Sequence, residues 1–292
     1  MTKQISYYFS KINALIGKIF WKLVALTHNN RKNISVEDII AKNRTFLEKT
    51  SSLISDSEYQ SNNYGIPKKN YKYINSPLTN DLTNIDMIIY LISSLKKEKL
   101  NYLEIGASVL KTFMSIENSF INYNMVAYDI NPIVNKYANE FLVKNTSSKL
   151  HISTKFDNNL FYFQGDVLNK EDTKEFSSSL EFKYDFIFSD ALHTKEGIDS
   201  EFDNIIQDKL AENFMIYYDD LDIKWAVPTV EPGVIESFQK LKGQNHNVYL
   251  YTFWIYGWLG NNENMHKNAI ITNFEIDSVL EKLKLPFLKK FN

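Results

Sequence analysis

The sequence predicts an α/β fold: a mainly parallel sheet of seven strands, helices on both faces, an antiparallel edge, and a helical extension ahead of it. Three observations carry this. Short apolar runs alternate with segments of helical spacing from Asn84 onward. The connections between them are short, as in βα units. Five successive runs end in or beside an acid: Glu104, Asp129, Asp166, Asp190 and the pair Asp219 and Asp220. In a parallel sheet those carboxyl ends share one edge, the edge at which open α/β sheets bind ligands.

The first stretch, residues 1–60, reads as two helices. Ile5, Tyr8, Phe9, Ile12, Leu15, Ile16 and Ile19 form one apolar stripe at helical spacing. Lys11, Lys18 and Lys22 interrupt the run, which suits neither a signal-peptide core nor a span of ~20 apolar residues. The stripe predicts a helix packed on its own domain or on a second copy, making a homo-oligomer through these helices; a membrane-surface helix is the alternative. The second helix starts near Ser35, with Asp38 placed as in a capping box. Residues 61–83 are polar and turn-rich, with Gly65, Pro67, Pro77 and several tyrosines, and read as a connection or a lid.

The main domain is expected over residues 84–292. A helix follows Asn84, and strands follow at 101–105, 125–128, 160–163, 184–188 and 213–218. Helices are expected between them at about 109–119, 133–143, 171–180 and 195–210, and after them at about 233–242. Two further strands, 248–255 and 268–272, suit an antiparallel hairpin at the sheet edge, with a small helix near Leu280 to close the chain. The aromatic run Tyr249 to Trp258 fits such an edge strand; Trp254, Tyr256 and Trp258 are the alternative wall of an apolar pocket.

Composition narrows the function. The hydrophobic fraction is 44% of 292 residues, enough for a sizeable core. The formal net charge of −2 provides no basic field for nucleic acid. The absence of cysteine excludes disulfides, thiolate metal sites and a cysteine nucleophile, and fits a cytoplasmic location.

The strand-end acids suggest distinct tasks. Asp129 stands about 25 residues beyond Glu104, where nucleotide-binding α/β folds place an acid on ribose hydroxyls. Asp166 follows a glycine turn and suits an adenine amino group, while Glu104 suits a ligand's ammonium. Asp190, Asp219 and Asp220 are oxygen ligands of the kind Mg²⁺ or another divalent cation takes. His193, three residues after Asp190, is the candidate general base, with Lys195 behind it.

Here the residues carry a resemblance. Leu103-Glu-Ile-Gly106, Ala127-Tyr-Asp-Ile130, Phe163-Gln-Gly-Asp-Val167 and Tyr184-Asp-Phe-Ile-Phe-Ser-Asp190 resemble successive motifs of class I S-adenosylmethionine-dependent methyltransferases. The segment Asp185 to Gly197 is similar to the aspartate–histidine segment of metal-dependent small-molecule O-methyltransferases. The resemblance covers about residues 84–275 and implies a Rossmann-like sheet. It implies that Glu104, Gly106, Ser108, Asp129, Ile130, Asp166, Val167 and Asp190 line S-adenosylmethionine. It implies a metal held by Asp190, Asp219 and Asp220, and His193 with Asp190 as the catalytic pair. The expected reaction is methyl transfer to a hydroxyl of a small molecule. The alternatives are a metal-independent methyltransferase acting on nitrogen or a macromolecule, and a binding protein that keeps the fold without turnover.

Overall fold

The structure, a computed structural model, describes residues 35–54, 80–133, 149–155, 158–222, 229–244, 247–257, 260 and 264–292. The first amphipathic helix, most of the tyrosine-bearing segment and the helix expected beyond Ile133 lie outside the described residues. The chain divides into two units, Met1–Asp38 and Ile39–Asn292.

The helices are α1 (Val36–Ile54), α2 (Asn84–Ser94), α3 (Lys111–Ser119), α4 (Lys170–Ser179), α5 (Lys195–Glu201), α6 (Val230–Gly243) and α7 (Asp277–Leu283). The strands are β1 (Leu100–Ile105), β2 (Tyr123–Asp129), β3 (Leu150–Lys155), β4 (Asn158–Gln164), β5 (Tyr184–Ser189), β6 (Leu210–Tyr218), β7 (Tyr249–Tyr256), β8 (Met265–Thr272) and β9 (Lys289–Phe291). They form one sheet in the order β3-β4-β2-β1-β5-β6-β8-β7-β9.

The sheet is Rossmann-like, as expected, but among the described residues it has nine strands rather than seven. β1, β2, β4, β5 and β6 are parallel. β3 adds antiparallel to β4, and the far side runs antiparallel through β8, β7 and β9. The two extra strands have weak signatures. β3 is a largely polar stretch, LHISTK, on an outer edge. β9 is a three-residue, lysine-bearing edge strand, a common device against edge-to-edge pairing. The helix expected at 195–210 is shorter: α5 passes at Phe202 into a π-helical turn, Phe202–Ile206, and then a 3₁₀ turn, Gln207–Lys209.

Both faces of the central strands are buried, so they read as continuous apolar runs rather than alternating ones. One face carries Leu103, Ile105, Val126, Tyr128, Ile187, Ile216 and Tyr218, packed with Phe202, Ile205, Val234 and Phe238. The other is aromatic. Tyr102 stacks on Phe186, and Tyr217 lies edge-on to both Phe188 and Phe253. The aromatic strand β7 thus contributes to the interior, with Tyr251 and Phe253 buried.

The start of α2 is anchored by a buried acid. Thr83 caps the helix, and the Asp86 carboxylate completes a capping box by accepting from Thr83 N at 3.0 Å. Arg44 of α1 meets the same carboxylate with two nitrogens, at 3.0 and 2.7 Å, and Asn43 adds a third donor at 2.8 Å. Asp86 is fully buried, so this donor set is what makes its charge tolerable there. The clamp also fixes the neighbouring Asn84, which points toward the end of β6.

Candidate active site

The chain runs outward from β1 to β2 and β4, then returns to lay β5 on the other side of β1. The crevice between β1 and β5 is therefore the topological switch point, where an open sheet of this kind binds ligands. Glu104, Asp129, Asp166, Asp190, Asp219 and Asp220 all sit at the carboxyl ends of the parallel strands, as expected. By strand parity Glu104, Asp190 and Asp219 point to the same face.

The loop after β1 is forced into an unusual path. Gly106, Ser108 and Leu110 all have left-handed backbone, with φ of 86°, 47° and 62°. A Cβ on Gly106 would lie 2.2 Å from the Asp190 carbonyl oxygen and 2.5 Å from Ala191 Cα. Glycine is needed both for its φ and because the backbone just beyond β5 passes against it. Asp190 N donates to Ile105 O at 2.8 Å, which holds the two strand ends together.

Asp129 ties this loop to the next. Its carboxylate accepts from Ser108 N at 2.6 Å, and from Asn131 N and Nδ2 at 2.8 and 3.1 Å. Burial pushes its pKa up against these hydrogen bonds. Beside it Ile130 is 60% exposed, and Leu168, past the end of β4, is 40% exposed. Two large apolar side chains open to solvent at a polar edge suit the face of a flat ring. Asp166 turns back to accept from Leu168 N at 2.9 Å, and Val167 is packed in the core. Glu104 is buried and accepts from the Tyr102 hydroxyl at 2.7 Å. Burial raises its pKa well above the usual carboxylate value, opposed by Tyr102 and reinforced by Asp190 and Asp129.

The ends of β5 and β6 carry two aspartate–histidine pairs. His193 Nε2 lies 3.0 Å from Asp190 Oδ1. Burial alone would lower the imidazole pKa, but Asp190, with Asp220 and Asp219 behind it, outweighs burial and raises it to about 9. His266 Nδ1 lies 2.9 Å from Asp220 Oδ1. Burial disfavours the Asp220 charge, yet His266 outweighs that and holds its carboxyl below the usual value. All four side chains are partly open to solvent. Asp219 lies deeper, accepting from Asn84 Nδ2 at 2.9 Å, from Asp220 N at 3.0 Å and from Asn268 Nδ2. Burial drives its pKa well up, with Asp220 and Asp190 adding to the effect. The Tyr217 hydroxyl and Asn268 Oδ1 are buried without hydrogen-bond partners, so this floor is polar and incompletely satisfied.

This pattern does not fit the expected metal centre. Among the described residues no three His, Asp or Glu side chains are arranged to hold a metal ion. The three carboxylates are directed instead to His193, His266, Asn84 and Asn268. Nor does Lys195 fit a base: it bridges Asp199 and Glu236, and those hydrogen bonds raise its pKa above the ordinary lysine value. The residue that sequence reasoning passed over is His266. It lies 46 positions from Asp220, and the antiparallel pairing of β8 with β6 brings it there. A histidine at the outer end of an expected edge strand was the available signal.

No family model and no curated protein matches the chain. Solved structures do. The O-methyltransferase TomG from Streptomyces achromogenes, involved in tomaymycin synthesis and solved with SAM, is 12% identical over 76% of this chain and 92% of its own, with a TM-score of 0.46. The plantazolicin methyltransferase BpumL, in complex with SAH, is 14% identical over 82% and 98%, with a TM-score of 0.44. Precorrin-6y C5,15-methyltransferase from Geobacter metallireducens is 14% identical over 64% and 86%, with a TM-score of 0.37.

Proposed function

We propose that the chain is an S-adenosylmethionine-dependent methyltransferase that moves a methyl group to a hydroxyl of a small molecule. The observation that carries this reading is the β1–β5 crevice: Gly106 pressed on the Asp190 backbone, Asp129 bridging two loops, and exposed Ile130 and Leu168 beside them. The strained loop Gly106–Leu110 adds support, because such backbone is retained where a ligand must be approached closely.

In this reading Asp129 accepts from ribose hydroxyls, Ile130 and Leu168 flank the adenine, and Asp166 lies at its edge. Glu104 answers the cofactor's ammonium group. S-adenosylmethionine supplies a methyl on a cationic sulfur: its S–C bond breaks as the new O–C bond forms, leaving a neutral thioether. The acceptor hydroxyl gives its proton to His193 in its neutral form, which becomes the major form only above about pH 9. In-line placement by the crevice supplies much of the rate. No step is assigned to a metal, because the strand-end carboxylates have other partners.

Isothermal calorimetry with S-adenosylhomocysteine tests the reading. The intact chain is expected to bind with a Kd in the micromolar range, on the order of −8 kcal/mol. Asp129→Ala is expected to weaken binding at least roughly tenfold, the cost of a lost charged hydrogen bond. An absence of heat up to millimolar nucleoside would remove the proposal.

A further inference from the structure

Glu104 is held from inside the sheet. Tyr102 and Glu104 alternate on β1, so their side chains leave the same face. The Tyr102 hydroxyl donates to Glu104 Oε2 at 2.7 Å. The Phe113 backbone N–H, in the first turn of α3, favours the charged form of the same carboxylate. Both partners are neutral, and a buried carboxylate among neutral donors suits a cationic ligand. Along the chain it stands just before Gly106, where the β1–β5 crevice opens.

Tyr102 itself is fixed. It is fully buried, its ring stacked on Phe186 at a centroid distance of 6.1 Å and tilted against Phe113 at 6.3 Å. Those contacts need only a ring, and phenylalanine would make them. A buried hydroxyl adds a cost unless a hydrogen bond offsets it, and here that bond goes to Glu104. Burial, with Glu104 adding to it, pushes the phenol pKa well up, so the group stays a donor. Burial also disfavours the charged form of Glu104, and the Tyr102 hydrogen bond opposes that. The hydroxyl therefore acts on the orientation and charge of Glu104 rather than on packing.

We propose that Tyr102 is a positioning residue: its hydroxyl fixes the Glu104 carboxylate at the crevice, and through Glu104 it secures the amino-acid half of the nucleoside cofactor. The ammonium that Glu104 meets comes from the methyltransferase reading, on which this inference rests.

The test is calorimetry with two nucleosides on the full-length chain. S-adenosylhomocysteine carries the α-ammonium; 5′-methylthioadenosine has the same adenosine and thioether without the amino-acid half. Tyr102→Phe keeps the ring and its stack on Phe186, and circular dichroism checks its fold. It is expected to weaken S-adenosylhomocysteine roughly tenfold, as for a lost hydrogen bond to a charged group, and to leave 5′-methylthioadenosine within about twofold. In a Glu104→Gln background the same substitution is expected to change S-adenosylhomocysteine affinity by no more than about twofold, because the charge it serves is gone. Equal weakening of both nucleosides by Tyr102→Phe would mean that the hydroxyl serves packing, and would overturn the proposal. So would undiminished binding of S-adenosylhomocysteine, or a loss that persists in full in the Glu104→Gln background. A wild-type chain that binds neither nucleoside removes the methyltransferase reading and this inference with it. One that binds both, with its discrimination unchanged in Tyr102→Phe, removes this inference alone.

Discussion

Gly106 is the residue on which the crevice depends most directly. Its left-handed φ and the 2.2 Å approach of the Asp190 carbonyl to a Cβ position leave no room for alanine. Gly106→Ala is expected to cost about 2–4 kcal/mol through backbone strain and overpacking. Urea unfolding would read that cost, and calorimetry would show the loss of nucleoside binding. His193 gives a second prediction. If His193 takes the acceptor proton, His193→Ala should lower kcat by a factor on the order of 10²–10⁴ and leave S-adenosylhomocysteine affinity within about twofold. An equal loss in both quantities would mean that His193 shapes the cofactor pocket.

Among the elements, α2 joins α1 to the end of β6. Its first turn holds Asn84, which donates to Asp219, and Asp86, which receives the two-nitrogen contact from Arg44. Arg44→Ala would leave a fully buried carboxylate without its cation, and the expected loss is about 3–5 kcal/mol of stability. Arg44→Lys should recover only part of it, since an ammonium cannot make the two parallel contacts. Thermal or urea unfolding of the two variants separates these outcomes. On the same account Asn84→Ala should cost less, about 1–3 kcal/mol, because Asp219 keeps Asn268 and the Asp220 amide.

For the molecule as a whole, buried acids set a pH dependence, and Glu201 contributes to it alongside Glu104 and Asp219. Glu201, at the junction of α5 and the π-helical turn, is fully buried and accepts from Ser189 Oγ at 2.6 Å, while its Oε1 has no partner. Burial raises its pKa from 4.5 to about 8. Because the folded value is the higher one, the native chain binds this proton more tightly. The stability it contributes is complete below about pH 4.5 and is lost as pH rises through about 8, a change on the order of 4–5 kcal/mol at most. Glu201→Gln should reduce the slope of the stability profile between about pH 5 and about pH 8, as followed by urea midpoints, with Glu104 and Asp219 keeping part of it. Profiles of equal slope for the two proteins would place the pH dependence elsewhere.

Much of the domain is legible in the amino-acid sequence. The five parallel strands, their alternation with helices and the acids at their ends follow from local properties: apolar runs, turn residues and caps act over a few positions. The placement of the acids on one edge was readable for the same reason, since each lies in the last two residues of its own strand or within two residues beyond it. Less was legible where pairing is long-range. β3 and β9 are strands because a neighbouring edge accepts them, and their own residues barely announce it. The partners of the acids were beyond sequence reasoning altogether. Asp190, Asp219 and Asp220 read as three oxygen donors for one cation, yet antiparallel register brings Asn268 and His266 to two of them and α2 brings Asn84. The chain's order determined which carboxylates stand on the edge. Only the tertiary structure decided what they face, because a side chain's partner is set by register and packing across tens of residues rather than by its neighbours in sequence.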